Sequence, residues 1–99
     1  MGIIIYANSN QAKKALVALS IETVLLKIGK RTHEEVNSRL YENYRCYIPD
    51  CFENPEYLKR VLQDLYGKAS LNIIQSIKKE LEEYAEQKGI DNFITVISD

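Results

Sequence analysis

Cys46, Cys51 and His33 are the only soft-metal ligands in this 99-residue chain. A structural zinc needs four ligands, generally Cys and His at tight spacing. One chain offers three, and His33 sits on a different segment from the thiols. Sharing between two chains, or recruiting Asp50, would complete a site. The simpler reading takes Cys46 and Cys51 as two partly buried thiols beside a loop, and His33 as a surface residue near a helix start. No metal is therefore expected. A reversible disulfide between the two cysteines is the second reading, regulatory at most in a cytosolic chain. Nucleophilic catalysis would need Cys or Ser beside a base, and nothing in the spacing ties the sole histidine to either thiol. Gly2, Gly29, Gly67 and Gly89 are isolated, so no glycine-rich phosphate cradle exists. The chain is read as a non-enzyme without a cofactor.

Two features point to binding instead. Tyr41, Tyr44 and Tyr47 cluster with Arg39 and Arg45 in a chain with seven Tyr, two Phe and no Trp. Aromatic residues beside Arg mark interface hot spots and can also stack bases. The plain alternative packs Tyr44 and Tyr47 over the core edge with their hydroxyls in water. Glu22 is the second feature. It interrupts an apolar row, where a buried carboxylate would need a cationic partner from another helix or subunit and could fix register. A solvated margin is the alternative reading.

The elements that must position these groups read as mainly α: a compact four-helix domain with short strand-like segments at both termini. Ninety-nine residues make one domain, 1–99, with a modest core. Ile3-Ile4-Ile5-Tyr6 reads as a strand over 3–6, stopped by Asn8, Ser9 and Asn10. A first helix over about 11–28 ends at Gly29, which suits a left-handed cap. It carries two apolar seams. Val17, Ile21, Val24 and Ile28 form one; Ala15, Leu19, Glu22 and Leu26 form the other. Only a narrow polar strip of Lys13, Ser20 and Lys27, with Thr23 beside it, lies between them. A helix apolar on most of its circumference is buried on most of it, either centrally or between the core and a subunit interface.

Thr32 and Glu35 have capping-box spacing for a second helix over about 33–44, with Val36 and Leu40 inward. Residues 45–53, broken by Pro49, read as irregular. Asn54-Pro55-Glu56 starts a third helix over 55–66, with Leu58, Val61, Leu62 and Leu65 as its stripe. A fourth, over about 69–88, buries Ile74, Ile77, Leu81 and Tyr84, with Leu71, Ile73 and Ala85 widening the stripe. Residues 93–97 (Phe-Ile-Thr-Val-Ile) read as a second strand, pairing with the first either within the chain or across a dimer.

The 13 basic and 14 acidic residues balance to a net charge of −1, so the basic excess typical of nucleic-acid binders is missing. The run 3–6 is too short for a signal core, and no window approaches a membrane span of about 20 apolar residues. The cytoplasm is the default location.

The middle of the chain resembles the Nitrosopumilus output domain family, small archaeal modules found alone or attached to signalling proteins. The resemblance rests on Leu26-Lys27-Ile28-Gly29, Leu40 with Tyr44, Asp50 ahead of Asn54-Pro55-Glu56-x-Leu58, Leu62-x-x-Leu65-Tyr66-Gly67, and Ile73-Ile74 leading to Ile77-x-x-Glu80-Leu81. It covers roughly residues 12–85. It implies an all-helical regulatory module and carries no catalytic residues to transfer.

The sequence thus points to a non-enzymatic interaction or regulatory module acting as a homodimer, with another protein as a further partner. The expected interface comprises Ala15, Leu19, Glu22, Leu26, Tyr41, Tyr44 and Tyr47. The alternative is a nucleic-acid-binding regulator with Lys27, Lys30, Arg31, Lys59 and Arg60 as its patch. A third, metal- or redox-responsive reading would use Cys46 and Cys51.

Overall fold

A computed structural model describes residues 2–99, with side chains from Asn10 onward. The chain is mainly helical, and no strand occurs among the described residues. Five α-helices follow one another: α1 (Gly2–Ile28), α2 (Lys30–Tyr44), α3 (Pro55–Tyr66), α4 (Ser70–Glu80) and α5 (Ile90–Ser98). Short 3-10 turns occupy Ile48–Phe52, Gly67–Ala69 and Glu82–Tyr84.

Both expected strands are replaced by helix. Residues 3–6 belong to α1, which is 27 residues long. No Pro or internal Gly interrupts that stretch, and β-branched or Asn residues each cost a helix less than about 0.7 kcal/mol. At about 1.5 Å per residue α1 is roughly 40 Å long, close to the 44 Å long axis of the molecule. At the other end, Ile90, Phe93, Ile94 and Ile97 are all buried in α5. Their spacing of three, one and three is helical. A strand over 93–97 would have sent half of these large side chains outward.

The fourth helix is shorter than its pattern suggested. α4 stops at Glu80 and the backbone turns through Leu81 and the Glu82–Tyr84 turn. Leu81 is still fully buried, so the apolar repeat continues while the helix does not. The turn brings α5 back against α3 and α4. Gly89 makes this return possible. Its φ of 95° lies in the region that disfavours side chains, and a Cβ there would stand 3.0 Å from Cζ of Phe52. The Asp91 carboxylate accepts from the Gly89 N–H at 3.0 Å and fixes the entry to α5.

Three local expectations are also corrected. Gly29 is extended (φ 165°) rather than left-handed, and it alone links α1 to α2. The Thr32–Glu35 capping box is not formed, because α2 already begins at Lys30. Glu35 instead accepts from the Tyr66 hydroxyl of α3 at 3.0 Å and faces Arg31. The 45–53 segment is part of the core: Ile48, Cys51 and Phe52 are buried and the turn packs along α1. Asp50 closes that turn by accepting from the Tyr47 N–H at 2.8 Å.

The core gathers residues from every helix. Val17, Ile21 and Leu25 of α1 meet Val36 and Leu40 of α2, Leu58 and Leu62 of α3, and Ile77 of α4. Leu71, expected to widen the α4 stripe, is exposed instead. Asn54 takes the position before α3 with Pro55 next, as expected, but its amide turns back to donate to the Asp50 carbonyl.

Candidate functional site

The two seams of α1 have opposite fates. Val17, Ile21 and Val24 are buried, and only Ile28 at the helix end is exposed. The second seam faces outward: Leu19 is 63% exposed and Leu26 is 50% exposed. Ala12 and Ala15 are exposed on the same side, because steps of three, four and seven residues return to one helix face. Ala12, Ala15, Leu19 and Leu26 thus form an apolar ridge, with Leu16 and Thr23 half-buried along it. Ridge length is about 21 Å at 1.5 Å per residue.

The polar strip of α1 is covered only at its centre: Ser20 is buried, Lys13 half-buried and Lys27 exposed. The Ser20 hydroxyl donates to the Leu16 carbonyl at 3.0 Å. Lys13 donates to the Lys88 carbonyl at 3.1 Å, and Lys27 pairs with Glu80 at 3.4 Å. That strip is therefore the seam against α4 and the segment after it. Lys14, on another side, pairs with Glu53 at 2.9 Å and lies 3.7 Å from Asp50, tying the 3-10 turn to α1. The Glu53 carboxylate, hydrogen-bonded to it, holds the Lys14 ammonium above its ordinary pKa.

Glu22 occupies the margin of the ridge. Its Oε1 lies 3.4 Å from Nε2 of His33 on α2, with Glu22 partly exposed and His33 mostly covered. The required cationic partner is thus supplied within the chain when the imidazole is protonated, and by a histidine read in sequence as an isolated surface residue. The ridge is bounded by this pair on the α2 side and by Lys27–Glu80 on the α4 side. An apolar strip with a polar rim is the usual anatomy of a protein interface.

Tyr41 and Tyr47 are exposed, their ring centres 5.6 Å apart, and the Arg45 guanidinium lies 5.1 Å above the Tyr41 ring. Arg45 caps α2 in the left-handed conformation, its N–H donating to the Tyr41 carbonyl. Tyr44 belongs elsewhere: it is half-buried and stacks flat on Tyr57 with centroids 4.1 Å apart. On α2, His33, Asn37 and Tyr41 follow at four-residue steps, so Tyr41 continues the row that begins beside Glu22.

Cys46 and Cys51 are both free and buried. Burial pushes the Cys51 thiol up to about 12, with Cys46 and Asp50 adding to the shift, and burial likewise raises Cys46. A thiol held protonated is a poor nucleophile. Among the described residues no group of three or more His, Cys, Asp or Glu is placed to hold a metal ion. Of the five basic residues in the alternative nucleic-acid patch, Lys27, Arg31 and Arg60 each face a carboxylate. Lys59 and Arg60 sit on α3, the other three around the α1–α2 junction. No helix among the described residues is long and apolar enough to cross a membrane. The chain matches no protein-family model, no curated protein and no solved structure.

Proposed function

We propose that this protein is a non-enzymatic interaction module that self-associates through the outer face of α1. The observation that carries this reading is the exposure of Leu19 and Leu26 on a face whose other members are Ala12 and Ala15. Large apolar side chains aligned on one face are a recurrent mark of a binding surface. Glu22 and Tyr41 belong to its margin, and Tyr47 adds an aromatic contact next to Tyr41. Tyr44 is left to the core edge. A regulatory role is what the family resemblance adds.

The test is mass in solution at micromolar concentration, by light scattering or sedimentation. The wild-type chain is expected at dimer mass. Leu19→Glu is expected to be monomeric with an unchanged helical spectrum, since Leu19 contributes little to the monomer core. A wild-type monomer would overturn the reading. Retention of nucleic acid that weakens steeply with salt would favour the alternative regulator.

A further inference from the structure

We draw no further inference here: the strongest candidate, the outward apolar face of α1 bearing Leu19 and Leu26, belongs to the site already described, and nothing in the structure shows in which orientation a partner would cover it.

Discussion

At the residue scale, two glycines at helix boundaries behave differently despite similar positions in sequence. Gly89 combines a positive φ with 3.0 Å of clearance to buried Phe52, whereas a Cβ on extended Gly29 would meet only the Thr32 hydroxyl at 4.0 Å. Gly89→Ala is therefore expected to destabilise by about 1–3 kcal/mol, a fall in Tm of about 4–8 °C per kcal/mol for a domain this size. Gly29→Ala should stay within about 0.5 kcal/mol; thermal melts followed by circular dichroism distinguish the two. Cys51 gives a second prediction. Its folded pKa is raised to about 12 from a usual value of 9.0, so its contribution is complete below pH 9 and lost as pH climbs toward 12. The slope for one such group reaches at most about 1.4 kcal/mol per pH unit. Urea midpoints at pH 7 and 10.5 should differ less in Cys51→Ala than in wild type.

At the element scale, α5 shows what local reading misses. Residues 93–97 taken alone are β-branched and aromatic, and they alternate well enough for a strand. Widening the window to Ile90 reveals the helical spacing, and the burial of all four large residues follows it. Thr95 separates the two descriptions. A strand would have buried it with Phe93 and Ile97, but it is exposed, with its hydroxyl donating to the Asp91 carbonyl. Phe93→Ala is expected to cost about 3–5 kcal/mol and Thr95→Ala less than about 0.5 kcal/mol, read from chemical denaturation. α3 was legible down to its first residue, because Pro55 and Glu56 act through local rules that no packing overrides. The Ile48–Phe52 turn was not, since Pro49 hides a segment whose burial comes entirely from contact with distant α1.

At the scale of the molecule, the decisive pair is Leu25 and Leu26. They are neighbours in sequence with equal hydrophobicity, yet Leu25 is fully buried and Leu26 half-exposed. Leu25→Ala is expected to cost the monomer about 2–5 kcal/mol. Leu26→Lys should leave monomer stability within about 0.5 kcal/mol and act on association alone. Measuring both denaturation and solution mass separates the two effects. The same logic explains why Ser20 is not on the solvent face: it is buried and its hydroxyl donates to the Leu16 carbonyl, while Lys13 and Lys27 on either side reach the Lys88 carbonyl and Glu80 of the C-terminal half.

The sequence alone determined the helical class, the inward faces of α2 and α3 and the two seams of α1. These follow from periodicity, capping and composition, which are local or global properties of a linear chain. Only the tertiary structure decided which α1 seam is buried, where the fourth helix ends, that the terminal segments are helical, and that His33 is the partner of Glu22. Each of those depends on which distant residues arrive alongside; the linear pattern marks the Ala15–Leu26 seam as the less apolar one through Ala15 and Glu22, but does not say whether another helix or a second chain covers it. The packing of α4 and the Ile48–Phe52 turn around Val17, Ile21 and Leu25 buries the other seam, and it leaves the Leu19 face outward.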